Sequence, residues 1–301
     1  MKKILIMICF FCVLSLAAEA RPLKVVTTTT DLASIAEEIG GEKIRVTSLA
    51  RGTQDHHYVE PRPSMVVTLR DADLVIMIGM DHDIWIQSLI NSARNPNIRF
   101  GRPGYLDVSS GIDKKEIPVG RIDASMGHLH IYGNPHYWLD PANGKIIARN
   151  IADRLSAIMP ENSSYFYENL ENFNLRIDEK LKEWQEELAP FRGAPIAVYH
   201  GSWPYFADRF GLEVACELEP KPGIPPSPGH LREVIEIVRR RGIKAIIIEV
   251  FHNERPARFV ADATGAQVVV VPSSVGGMEG ADDYFSLMDV LVGKIREALE
   301  K

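Results

Sequence analysis

Cysteine is nearly absent. Of three in 301 residues, Cys9 and Cys12 fall in an apolar N-terminal run, which leaves Cys216 alone in the body of the chain. One thiol closes no intramolecular disulfide, so the fold must be held by its core, and a chain of this length buries about three-quarters of its unfolded surface. Excess positive charge is missing too. Lys and Arg number 34 against 40 Asp and Glu, net −6, which argues against nucleic-acid binding through phosphate contacts. There is no H-E-x-x-H helix of a zinc protease and no G-x-S-x-G nucleophile elbow. The apolar run from Ile4 to Leu16 spans 13 residues, short of the roughly 20 that cross a bilayer.

That run carries the other marks of a secretory signal. Lys2 and Lys3 supply the positive start, and Ala18-Glu19-Ala20 is an A-x-A cleavage site. Residues 1–20 are therefore expected to be a cleaved signal peptide, and the mature chain a periplasmic monomer. A lipoprotein needs a cysteine at the cleavage point. None stands there, so no lipid anchor is expected.

Strand and helix signals alternate through the rest. Lys24 to Thr29, Ile44 to Leu49 and Leu74 to Ile78 read as strands. Between and after them, Asp31 to Ile39, Pro61 to Arg70 and Ile84 to Ala93 read as helices, with Asp31 as a cap. The pattern returns with strands at Pro195 to Tyr199, Leu212 to Cys216, Ile243 to Val250 and Gln267 to Val271. Helices are expected at Trp203 to Phe210, Leu231 to Arg241, Pro256 to Thr264 and Asp282 to Leu299. Continuous apolar strands separated by helices predict parallel sheets covered on both faces. Between the two arrays, Asp140 is an N-cap and Pro141 a first helical residue, followed by Ile147, Ile151, Leu155 and Ile158 at helical spacing. Pro160 interrupts, and a second helix from Ser163 to Leu188 would span about 39 Å. The expected fold class is α/β. Two βα lobes with parallel sheets, 21–140 and 191–301, are joined by rigid linking helices over 141–190, with a cleft between the lobes.

Nine histidines occur. His200 ends a predicted strand, His57 sits just past another, and His136 lies immediately before the Asp140-capped helix. In open α/β sheets ligands bind beyond the carboxyl ends of strands. Three such histidines can converge on a transition metal, which imidazole suits, although a loop histidine is ordinarily a surface residue.

Asp55-His56-His57-Tyr58-Val59-Glu60-Pro61-Arg62-Pro63-Ser64 resembles the D-P-H-x-Y-E-P-x-P-S segment of the zinc- and manganese-binding solute-binding proteins of ABC transporters, the ZnuA/TroA-like (cluster A-I) family. Asn134-Pro135-His136-Tyr137-Trp138-Leu139-Asp140-Pro141 looks like that family's second ligand motif, and Tyr199-His200-Gly201-Ser202-Trp203-Pro204 like its third. Ala72-Asp73-Leu74-Val75 and the linking helix fit as well, so the resemblance runs in order along nearly the whole mature chain. It implies two βα lobes joined by a long helix, a metal held by His57, His136 and His200, and delivery to a membrane ABC permease.

The chain departs from the pattern at the fourth ligand. Many members carry Asp in the loop after the last strand, where Ser274 stands here. Pro225-Pro226-Ser227-Pro228 also departs from the family's Glu-Pro-Ser. Three neutral histidines without a carboxylate favour Zn²⁺ over Mn²⁺, since manganese prefers oxygen. The fourth position is left to water or to an acidic residue, with Glu60, Glu249, Glu279 and Asp282 as candidates. Glu249 and Asp140 are candidates to hold the far ring nitrogens of the ligands. His128 and His130 fall where zinc-specific relatives have a mobile His-rich loop, and a weak capture site there is one reading. Three histidines plus water also describe a catalytic zinc. The alternatives are therefore a secreted hydrolase on this scaffold or a metal-stabilised adhesin.

Overall fold

The computed structural model describes residues 21–118, 130–221 and 223–301. The expected signal segment and His128 lie outside the described residues. Two four-stranded sheets make up the α/β frame. The first holds β1 (Leu23–Thr27), β2 (Ile44–Ser48), β3 (Leu74–Met77) and β4 (Tyr105–Asp107) in the order β2-β1-β3-β4. The second holds β5 (Pro195–Val198), β6 (Glu213–Glu217), β7 (Ala245–Glu249) and β8 (Gln267–Val271) in the order β6-β5-β7-β8. Every pairing is parallel. The second half thus repeats the winding of the first. Each sheet has its strand order reverse at its first strand, which opens a crevice at the carboxyl ends.

Alternate strand residues face opposite sides, and both sides are buried. Val25, Leu74 and Ile76 join the main core, while Val26, Val75 and Met77 pack under α2 (Pro63–Arg70) and α3 (Ile86–Ala93). In the second sheet Ile247 faces the main core. Ile246 and Ile248 pack under α7 (Pro228–Arg241) and α8 (Arg255–Thr264). Two-sided burial is why these strands read as unbroken apolar runs.

The main core is shared by both halves. It contains α1 (Thr30–Gly40), α4 (Pro141–Ile158), α5 (Ser163–Leu188), α6 (Pro204–Phe210) and α9 (Tyr284–Glu300). α5 folds back on α4 and also meets α1 and α9. Tyr137 and Trp138 sit in this core and tie it to both sheets. The Tyr137 hydroxyl donates to Ile78 O (2.6 Å) and the Trp138 indole to Ser273 O (2.9 Å), while the Tyr284 hydroxyl donates to Trp138 O (2.6 Å). A close backbone approach adds to the joint. A Cβ on Gly52 would stand 2.0 Å from Val275 O and 2.6 Å from Gly277 N, so only glycine fits between these loops.

Several local expectations shift. Thr29, not Asp31, caps α1 by accepting the Leu32 N–H. Asp31 lies one step inside, fully buried, and accepts the Val275 N–H at 3.0 Å. Asp283, not Asp282, caps α9 in a reciprocal pair with Ser286. β4 was not expected: three residues behind Gly104 carry too little periodicity to register. Pro225-Pro226-Ser227-Pro228 starts α7, with Ser227 as its N-cap.

Candidate metal centre

His57 lies in a short 3₁₀ turn after β2, His136 immediately precedes another, and His200 follows β5. The donor atoms of these three all lie within 4.8 Å of one another. Their ring centroids are 5.1, 5.3 and 5.4 Å apart. An ion about 2 Å from each nitrogen would set tetrahedral imidazole centroids about 5 Å apart, so the spacing is that of ligands around one ion.

Each ring is held from behind. Asp55 Oδ1 accepts the His57 backbone N–H at 2.9 Å and lies 2.8 Å from its Nδ1. Asn134 Oδ1 does the same for His136, at 3.0 and 2.9 Å. Glu219 Oε2 stands 2.5 Å from His200 Nδ1, and its other oxygen accepts the Gly223 N–H at 2.8 Å. The Asn134 amide is oriented because its Nδ2 donates to Glu116 (2.8 Å) and Gly201 O (2.6 Å). An acceptor at each Nδ1 puts the proton there and leaves each Nε2 lone pair for a metal. Glu249 and Asp140, the expected holders, are engaged elsewhere. Glu249 accepts the Trp203 indole at 3.0 Å, and Asp140 caps α4 and pairs with Arg209 at 2.7 and 2.9 Å.

Burial and the neighbouring rings hold His136 well below the usual imidazole range, so it is neutral and able to ligate at physiological pH. Burial also pulls His200 down, but its bond to Glu219 and the charges of Glu249, Glu219 and Asp55 outweigh that and raise it. Asp55 sits at about 2: burial pushes it up, and its contacts with His57 more than reverse this. The site therefore combines a neutral His136 with a His200 made more basic by Glu219, and an ionised Asp55 stands behind His57.

The four acidic candidates do not join the donor group. Glu60, Glu279 and Asp282 are exposed. Glu249 is fully buried beneath Trp203. Ser274 points to His56, with Oγ 3.5 Å from its Nδ1, while Ser273 and Ser202 line the site. More histidines surround the three than expected. His82 is 2 % exposed, with its ring 4.6 Å from that of His57. His130 Nε2 is 3.2 Å from His57 Nε2. His56 and His252 line the enclosure too, and burial lowers each to about 4. His82 and His252 follow β3 and β7, so the strand-end rule that found His57 and His200 also marks them. The space among these side chains is about 10 Å³, room for one ion or water and for no organic substrate.

Comparison with known proteins identifies the family. The zinc-uptake complex component A periplasmic (ZnuA) family matches residues 25–298. A manganese ABC transporter substrate-binding lipoprotein, PsaA of Streptococcus mitis, is 28% identical over 299 residues, covering 95% of this chain and 92% of its own. The metal ABC transporter substrate-binding lipoprotein FimA of Streptococcus parasanguinis is 28% identical over 293 residues, with 93% and 90% covered. A zinc-bound ZnuA deletion mutant superposes with a TM-score of 0.77 at 25% identity, with 92% of this chain and 98% of that one covered. These relatives correct one expectation. They are named lipoproteins, so the inference that this chain lacks a lipid anchor does not stand. It depended on placing cleavage at Ala20, with Cys9 and Cys12 upstream of that point. The matched family, the shared fold and an enclosure sized for an ion lead to one assignment: the chain belongs to the ZnuA family and is the substrate-binding component of a metal ABC transporter, a capture protein and not an enzyme.

Proposed function

We propose that this chain captures Zn²⁺, in preference to Mn²⁺, through the Nε2 atoms of His57, His136 and His200. The observation that carries the reading is the set of acceptors at all three Nδ1 atoms, combined with a donor group that contains no carboxylate. Nitrogen donors suit zinc, and manganese favours oxygen. A cavity of about 220 Å³ lined by Glu116, His130, Asn134, His136, His200 and Gly201 leads to the site, and Glu217 adds a second carboxylate to its wall. It is the route for a hydrated cation. All three ligands come from one chain, so the site is complete in a monomer. The lobes are 21–140 and 191–301, joined through 141–190. Because the main core runs through both, closure on the ion is small and the ion passes to the permease with little rearrangement.

Calorimetric titration of demetallated protein with Zn²⁺ and with Mn²⁺, repeated on His136→Ala, tests this. One tight zinc site, weaker manganese and loss of zinc in the variant are expected. Undiminished zinc binding by the variant would remove the three-histidine site, and tighter manganese binding would remove the zinc preference.

A further inference from the structure

We propose that His82 supplies a fourth nitrogen to the captured ion, in place of the carboxylate that the loop after β8 does not provide. The inference rests on the metal-capture reading above. His82 lines the same small enclosure as the three ligands. It is 2 % exposed, and its buried Nδ1 has no hydrogen-bond partner. A buried polar nitrogen with nothing to bind is costly and uncommon. Its ring lies 4.6 Å from that of His57 and 5.7 Å from that of His136, and it stands edge-on to Trp138 at 5.2 Å.

The backbone delivers it there. Gly79, Met80 and Asp81 are three successive residues at positive φ, 75°, 52° and 62°. The Asp83 carboxylate clamps this turn by accepting the Ile78 N–H (2.8 Å), the Gly79 N–H (3.2 Å) and the Thr28 hydroxyl (2.6 Å). Non-glycine residues persist in the left-handed region where the surroundings over-determine them, and such turns cluster at ligand sites. The donor atoms of His82 lie outside the group that His57, His136 and His200 form within 4.8 Å. Ligation therefore takes a swing of the imidazole toward the ion as it enters. Ser273, which lines the enclosure with His82, offers no anionic donor, so the completed set is all nitrogen. This is the physical basis of discrimination against manganese.

His130 is the rival donor, because its Nε2 is 3.2 Å from that of His57. X-ray absorption at the zinc edge counts bound imidazoles. It should be recorded on the zinc-loaded protein, His82→Leu and His130→Ala, with melting of each metal-free variant to confirm folding. Four imidazoles are expected in the parent and in His130→Ala. Three plus an oxygen are expected in His82→Leu, with zinc affinity weakened at least about tenfold, since even partners that only orient ligands are worth about 10–100-fold. Should His82→Leu fail to fold, His82→Gln keeps the volume and is read the same way, an oxygen donor replacing one imidazole. Four imidazoles retained in His82→Leu, or three in the parent, would overturn the proposal while leaving zinc capture intact. A parent that takes up no zinc at all would overturn the capture reading itself.

Discussion

Glu219→Gln separates the work of holding a ligand from the work of tuning it. Glu219 is buried, and its Oε2 lies 2.5 Å from His200 Nδ1. Replacing the carboxylate with an amide removes the charge and allows an N–H to face Nδ1, which favours the wrong tautomer. Partners of this kind are worth about 10–100-fold in metal affinity, which corresponds to about 1.4–2.7 kcal/mol. A second effect has the opposite sign. His200 is raised above the usual imidazole range with Glu219 as the main contributor, so in the parent a proton competes with the metal at this ring as pH falls through that raised value. Without the carboxylate this competition begins at lower pH. The variant's deficit should therefore be largest at alkaline pH, where His200 is deprotonated in both proteins, and should shrink on acidification. Competition titrations with a zinc-sensitive chelating dye across pH 5.5–8.5 measure the ratio directly. A variant equal to the parent at pH 8.5, or a deficit that widens on acidification, would refute the reasoning.

The remaining tests address stability. Burial raises Asp31 from 3.8 to about 7. Both states are protonated below the unfolded value, so nothing is lost there. As pH rises from about 4 to about 7 the unfolded chain ionises first, and folding loses about 4 kcal/mol at about 1.4 kcal/mol per unit. Asp31→Asn should flatten that decline in urea unfolding of the metal-free protein between pH 4 and 8, and parallel profiles would refute it. Gly52→Ala drives a methyl into Val275 O at 2.0 Å and should cost about 1–3 kcal/mol by overpacking, read as a lower melting temperature. Zinc at about a thousand times its dissociation constant should add about 4 kcal/mol to folding, and His136→Ala should abolish that increment relative to the variant's own metal-free melt.

Much of the frame was legible in the sequence because both sheets are buried on both faces. Runs such as Ala245-Ile246-Ile247-Ile248 have one reading as strands, and the α5 stripe of Phe166, Leu170, Phe173 and Leu181 repeats at helical spacing over about four turns. Cap positions were legible only to within a residue or two. Thr29 and Asp31 are both acceptable caps by composition, and burial of Asp31 against the Val275 amide decides between them. The site divides in the same way. Asp55 and Asn134 stand two residues before the histidines they hold, within reach of a local reading. Glu219 is nineteen residues from His200 and meets it only because β5 and β6 pair in parallel and bring their carboxyl ends together. His82 belongs to none of the three resembling motifs, so in the sequence only its place beyond β3 marks it. Only the positive-φ backbone at 79–81 turns that imidazole inward.

On the proposed zinc reading, selectivity would follow from what the enclosure denies. A space of about 10 Å³ admits ions of similar size equally well, so size alone cannot rank zinc above manganese. Whole-molecule charge cannot do it either, since both ions carry the same charge. What differs is the donor chemistry, and the fold keeps its carboxylates one step back. Asp55 and Glu219 grip imidazoles and are sterically committed to Nδ1, while the neutral Ser273 lines the site. Supplying an anionic oxygen reverses the logic. Ser273→Asp places a carboxylate on the wall of the site and should narrow the zinc-to-manganese affinity ratio by an order of magnitude or more through stronger manganese binding, measured by paired titrations. An unchanged ratio, with the aspartate shown by zinc-edge absorption to be bound, would mean that donor type does not set the preference here.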